Sequence, residues 1–152
     1  MTCIVRQMTM GDIPSVVAID KQSFSLPWPE TSYRYELQGN TAARAFVAEA
    51  DDHEVVAMIV SWLILDELHI ATIATSPNCR RQGIGSQILI AALKDGQAAG
   101  ARRAFLEVRA GNAAAQEMYH KFGFVEAGRR PGYYRDNGED AVLMTLEPLE
   151  VL

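Results

Sequence analysis

The chain has little cysteine, little histidine, no surplus of basic charge and no long hydrophobic run. Its two cysteines, Cys3 and Cys79, stand far apart without metal-ligand spacing, which argues against a disulfide framework and leaves reduced, structural thiols. The three histidines, His53, His69 and His120, are equally scattered, so no metal and no catalytic role is assigned to them. A net charge of −5 argues against a broad nucleic-acid surface. It suits a basic polypeptide partner, and it serves solubility equally well. No apolar run reaches the length of a membrane span, and Met1 to Met10 holds no signal-peptide core, so the cytoplasm is the expected location. Repeats, low-complexity tracts and linkers are missing too.

What is present is a globular composition. At 152 residues and 49% apolar, the chain reads as one domain spanning 1–152 with a sizeable core. Strands are expected at Ile4–Arg6, Ala45–Ala50, Val55–Leu65, Leu68–Thr75, Arg103–Arg109, Phe124–Gly128 and Ala141–Glu147. Helical spacing follows Thr9, whose partner Asp12 three residues on completes a capping-box pattern, with Pro14 in the first turn. Further helices are expected at Glu30–Leu37, from Gly83 to about Gly100, and at Ala113–Phe122. Pro27 and Pro29 flank Trp28 and force a loop. Helices separating a mixed sheet make the class α/β.

The most informative segment is Arg80-Arg81-Gln82-Gly83-Ile84-Gly85, which lies between the apolar strand ending at Thr75 and a helix. A strand, a glycine-bearing loop and a helix start leave backbone N–H groups available to an anion, and the helix dipole favours negative charge there. A Walker loop is excluded because no lysine follows the glycines. A dinucleotide fingerprint is excluded because Ile88 occupies the position of its third glycine. Plain turn chemistry is the bland alternative for a glycine pair.

Arg80, Gly83 and Gly85 fit the acetyl-CoA loop of the GNAT N-acetyltransferases, a Gln or Arg followed by x-x-Gly-x-Gly/Ala. The run from Leu106 to Phe124, with Asn112 before an Ala-rich helix that ends in Tyr119 and Gly123-Phe124, resembles the second cofactor-proximal half of that family. Phe24 to Glu30, Arg129 to Tyr134 and Gly138 to Ala141 are similar to the RimI type of bacterial N-terminal acetyltransferase. That type modifies the N-terminal alanine of a small-subunit ribosomal protein. The resemblance covers essentially the whole chain. It departs at Ser25-Leu26, an extra pair before Pro27, and at Gly132 before the Tyr-Tyr pair, both where acceptor specificity is set.

The resemblance implies a GNAT fold, a mixed, mostly antiparallel sheet splayed between two central strands to admit a pantetheine arm. It implies acetyl-CoA as co-substrate, no metal, no direct nucleic-acid or membrane partner, and a monomer or weak dimer. Glu107, an acidic residue in mid-strand, then aligns with the proton acceptor, and Tyr119 with the proton donor to the CoA sulfur. Read as residues alone, the alternatives are that Glu107 pairs with Arg109 on its own face and that Tyr119 packs beside Met118 and Phe122. The diphosphate would meet the main chain of Arg80, Arg81, Gln82, Gly83, Ile84, Gly85 and Ser86. The main chain of Ile73, Ala74 and Thr75 would hold the pantetheine and polarise the thioester. Asn112 can cap its helix and contact the cofactor at once. Leu26, Trp28, Tyr33, Tyr133 and Tyr134 are the candidate acceptor contacts, although Trp28 and Tyr33 are as readily packing residues. Glu139 and Asp140 would steer a cationic peptide or form a solvated turn. Two rival readings stand beside N-terminal acetylation: a GNAT enzyme for lysine side chains or small amines, and a non-catalytic acyl-CoA-binding module.

Overall fold

The computed structural model describes residues 2–151. Seven strands form one sheet: β1 (Cys3–Gln7), β2 (Ala43–Ala50), β3 (Val55–Ile64), β4 (Glu67–Thr75), β5 (Arg103–Arg109), β6 (Val125–Arg130) and β7 (Ala141–Leu146). Four helices cover it: α1 (Ile13–Ser23), α2 (Glu30–Gln38), α3 (Ile84–Ala98) and α4 (Ala113–Lys121). The strand order is β1-β2-β3-β4-β5-β7-β6, and every neighbouring pair is antiparallel except β4–β5. The expected elements are all present, with ends displaced by one or two residues. The largest difference is β6, which begins after Phe124, a fully buried core residue, and runs on to Arg130.

Each face of the sheet buries its own core. On one face α3 and α4 enclose Leu68, Ile88, Leu89, Leu93, Leu106 and Phe124. On the other, α1 and α2 enclose Ile13, Val16, Tyr33, Met58 and Val60. β5 shows how strand period sets this up: Ala104, Leu106 and Val108 are buried, whereas Glu107 is exposed on the opposite face. The Thr9–Asp12 pattern is realised, with the Thr9 N–H donating to Asp12 Oδ2 at 2.7 Å, but it opens a 3-10 turn that leads into α1.

The feature that positions the site is a short seam. β4 and β5 pair only from Glu67–Arg103 to Ile70–Leu106, and each strand then continues for several residues without the other. A bulge sits at the same level on the other side of β4, where Ser61 faces Ile70 and Val60 faces Thr72, leaving Ala71 without a β3 partner. From Ala71 to Thr75 the β5-facing edge of β4 therefore carries unpaired main-chain groups inside a covered sheet. Such an edge accepts an extended ligand as an added strand. The splay expected from the resemblance is present.

Candidate active site

The loop after β4 is built for an anion. A 3-10 turn at Pro77–Cys79 leads to Arg81, which takes a left-handed φ of 65°, and to Gly83, the N-cap of α3, at φ 78°. Two left-handed residues so close together curl the chain and turn successive N–H groups to one side. The first helical bond of α3 runs from the Gln87 N–H to the Gly83 carbonyl, and no side chain caps the helix. The N–H groups from Arg81 to Ser86 thus donate to no described residue.

Gly85 adds room. A Cβ built there would meet Met118 Sδ at 3.5 Å and Thr75 Oγ1 at 3.6 Å, ordinary contact distances, so packing does not require glycine. Free donors, an uncapped helix start and an unfilled cradle fit the diphosphate of a CoA thioester. Arg80 takes a different part from its neighbours. Its guanidinium folds back onto the Thr75 carbonyl at 3.2 Å and Ser23 Oγ at 3.3 Å, tying the end of β4 to α1.

At the open end of the seam three candidate residues converge. Tyr119 is 5% exposed on α4, with its ring centroid 5.8 Å from that of Phe124. Burial, and then the nearby Tyr134, push its hydroxyl up to about 12. It therefore remains protonated at neutral pH, as a proton donor must. Tyr134 is raised as well, by burial first and then by the Glu107 carboxylate, with the Arg109 guanidinium opposing. Tyr134 thus stands within electrostatic reach of both Glu107 and Tyr119.

Glu107 does not pair with Arg109. Its carboxylate lies 3.4 Å from Arg130 Nε on β6 and its side chain is 34% exposed, so it can be reached from the cleft. Arg109 is engaged elsewhere. It stacks on the Tyr134 ring at 4.0 Å and binds Asp136 at 3.0 Å and Glu139 at 3.3 Å. Ser25, in the α1–α2 loop, donates to Asp136 and lies 3.4 Å from Arg109. One guanidinium therefore joins the end of β5, the α1–α2 loop and the β6–β7 loop. The Glu139 carboxylate also accepts the Gly111 N–H at 2.6 Å and is held low by that bond above all. Asp140 accepts the Gly132 N–H at 2.9 Å. These two acids are fastened into the loop by backbone N–H groups, so the turn that carries them is a structured one.

The remaining candidates fall into two groups. Asn112 caps α4, accepting the Ala115 N–H at 3.1 Å. Ile73 and Ala74 are core side chains, so only their main chain faces the seam. Leu26 and Tyr133 are exposed on the two loops beside the cleft, and Trp28 and Tyr134 are half-buried. Tyr33 is fully buried: its hydroxyl donates to the buried Asp20, which also accepts the Trp28 N–H at 3.2 Å. Tyr33 acts by packing, supporting Trp28 at 5.3 Å between rings. Among the described residues no cluster of three or more potential metal ligands occurs, and no helix is long and apolar enough to cross a membrane. Arg109, Arg130, Ser25 and Asp136 were not apparent as site residues in the sequence. The last two lie 84 and 27 positions from Arg109, and no local pattern announces such a pairing.

This arrangement agrees with comparisons to known proteins. The model of the acetyltransferase (GNAT) family matches residues 13–124. A Bacillus subtilis protein, provisionally named a [ribosomal protein bS18]-alanine N-acetyltransferase, is 39% identical over 140 residues, 92% of each chain. The Escherichia coli K12 [ribosomal protein bS18]-alanine N-acetyltransferase is 32% identical over 144 residues, 93% of this chain and 95% of that one. The crystal structure of the E. coli ribosomal-protein-S18-alanine N-acetyltransferase superposes with a TM-score of 0.89 at 30% identity, covering 97% of this chain and 94% of that one. A NatC complex bound to Gag peptide and CoA shares the fold, with a TM-score of 0.86 at 21% identity over 97% of this chain and 99% of that one. The chain belongs to the GNAT acetyltransferase family and, within it, to the RimI-type N-acetyltransferases.

Proposed function

We propose that the chain transfers the acetyl group of acetyl-CoA to the α-amino group of a protein N-terminus, the N-terminal alanine of the small-subunit ribosomal protein bS18. The observation that carries this reading is the continuity of the cleft. Unpartnered N–H groups at residues 81–86 lead to the free edge of β4, whose other end lies where β5 departs at Glu107, and Tyr134 couples electrostatically to both Glu107 and Tyr119. The names of the relatives support the choice of acceptor.

The residues divide the chemistry as follows. Acetyl-CoA, when bound, supplies a thioester carbonyl carbon open to attack. The N–H groups of residues 81–86 hold its diphosphate, and main-chain groups of Ala71 to Thr75 hold the arm and polarise the carbonyl oxygen. Preorganised donors of this kind contribute a few kcal/mol where charge develops. An α-amino group has a pKa near 8, so at neutral pH most of it carries a proton that must leave before it can attack. Glu107 accepts that proton, directly or through one water. As the new C–N bond forms and the C–S bond breaks, the Tyr119 hydroxyl gives its proton to the departing sulfur, and the nitrogen, now an amide, releases its second proton to the Tyr119 oxygen, directly or through water. The α1–α2 and β6–β7 loops, joined through Arg109, hold the peptide with Leu26, Trp28, Tyr133 and Tyr134.

The test is direct. The protein is incubated with acetyl-CoA and the alanine-starting N-terminal peptide of bS18, and CoA release and peptide mass are followed. The expected result is one acetyl group on the α-amine. No turnover on any N-terminal peptide, or a free polyamine or lysine outrunning peptides in competition, overturns the reading.

A further inference from the structure

Outside the seam, the most distinctive surface is a groove of about 310 Å³ lined by Trp28, Thr31, Ser32, Tyr35, Glu36 and Trp62. Three of these six are aromatic. Tyr35 is 59% exposed, and Trp28 and Trp62 are only half-buried, so part of each aromatic side chain that lines the groove stays open among the described residues. The fourth is an acid. Glu36 is 7% exposed, and its Oε2 accepts hydrogen bonds from Trp62 Nε1 at 2.9 Å and Asn40 Nδ2 at 2.8 Å.

Those two donors are neutral. Glu36 has no ion-pair partner among the described residues, and its Oε1 makes no hydrogen bond yet is not sealed from solvent. The cations nearby are spent on other acids: Arg34 pairs with Glu30, and Arg44 with Asp95 across the neighbouring cavity that Glu36 also borders. A carboxylate this buried is normally paired, because desolvation of an unpaired charge is costly. Aromatic faces attract cations for an independent reason, the negative potential over the ring. Both features call for positive charge in one place.

The groove also adjoins the acceptor side of the cleft. Trp28 belongs to the α1–α2 loop, and Trp28, Trp62 and Ala71, the bulge residue at the seam, pack against one hydrophobic core on the same sheet face. We infer that this groove is a second acceptor subsite, which takes the cationic side chain of a lysine or arginine downstream of the residue being acetylated. This deepens the peptide N-terminus reading above and rests on it.

The chain offers a probe that does not depend on turnover. Trp28 and Trp62 are its only tryptophans, and both line the groove. Intrinsic emission is therefore titrated with two short peptides carrying blocked, already acetylated N-termini, one with a single lysine and one with norleucine at that position. Saturable change is expected with the lysine peptide at roughly tenfold lower concentration, a ratio equivalent to about 1.4 kcal/mol. The ratio falls towards one in Glu36→Gln, which retains an oxygen for Trp62 and Asn40, and is reduced in Tyr35→Leu. In acetylation assays the same lysine, scanned along alanine-starting peptides, lowers KM at one or two positions with kcat unchanged. Equal titrations by the two peptides, or a full lysine preference in Glu36→Gln, overturns the inference. Lysine-selective binding without turnover of any peptide upholds the groove and overturns N-terminal acetylation instead.

Discussion

The two walls of the cleft are built from different materials. The donor wall, from Ala71 along β4 to Ser86, offers main-chain groups and has side chains removed or turned away at Gly83, Gly85 and Arg80. The acceptor wall, from Glu107 to the β6–β7 loop, is made of side chains that hold one another: Arg109 with Asp136, Glu139 and Tyr134, and Glu107 with Arg130. On the proposed reading, a diphosphate and a pantetheine arm are the same in every reaction, and fixed N–H groups would recognise them without side chains that vary. A peptide differs from one substrate to the next, so its wall uses groups that substitution can change. Damage to the donor wall should weaken the binding of one molecule. Damage to the acceptor wall should alter rate, acceptor choice and pH dependence.

The largest effect is expected at Glu107. Glu107→Gln should lower peptide acetylation by about a hundredfold to ten-thousandfold at neutral pH, the scale of one proton-transfer group. The deficit should shrink as pH rises past about 8, where the α-amine loses its proton unaided. Acetyl-CoA affinity should hardly move. A pH–rate profile identical to that of the wild type removes Glu107 from the mechanism and makes the Arg130 pair its whole role.

Tyr119→Phe comes next, with turnover expected to fall about tenfold to a thousandfold and binding of both substrates preserved. Because its hydroxyl is pushed up to about 12, wild-type kcat should show no alkaline loss near pH 10, where an ordinary tyrosine begins to ionise. Wild-type rates in the variant would reduce Tyr119 to a packing partner of Phe124. A smaller effect is expected for Arg109→Lys. Lysine keeps the charge but cannot hold Asp136, Glu139 and the Tyr134 face together, so peptide KM should rise several-fold with acetyl-CoA KM unchanged. If instead acetyl-CoA KM moves more than peptide KM, the division between the walls is wrong.

The same contrast explains how far the sequence could be read. The donor wall is local: Arg80 to Gly85 lies between a strand and a helix within six residues, and glycine spacing reports backbone shape directly. The elements were legible because apolar period follows burial, as β5 shows with Ala104, Leu106 and Val108 all inward. The acceptor wall is non-local. Glu107 is visible as an acid in mid-strand, but the one partner that local sequence offers it is Arg109, two residues away, whereas the structure pairs it with Arg130, delivered by β6 across β7. Tyr33 was visible as an aromatic beside a loop, yet nothing in the sequence showed its hydroxyl turned inward to Asp20. Side-chain pairings of this kind depend on topology, and composition does not carry them.

The central claim is that the loop after β4 holds a CoA diphosphate on its main chain. It is tested most directly by calorimetric titration of CoA into the wild type and into Gly85→Glu. Glutamate in the first turn suits the helix dipole, so the variant should unfold within a few degrees of the wild type. Its added bulk and charge occupy the cradle, so CoA affinity should fall at least a hundredfold. Equal affinity in the two proteins, or no binding to the wild type, would contradict the account.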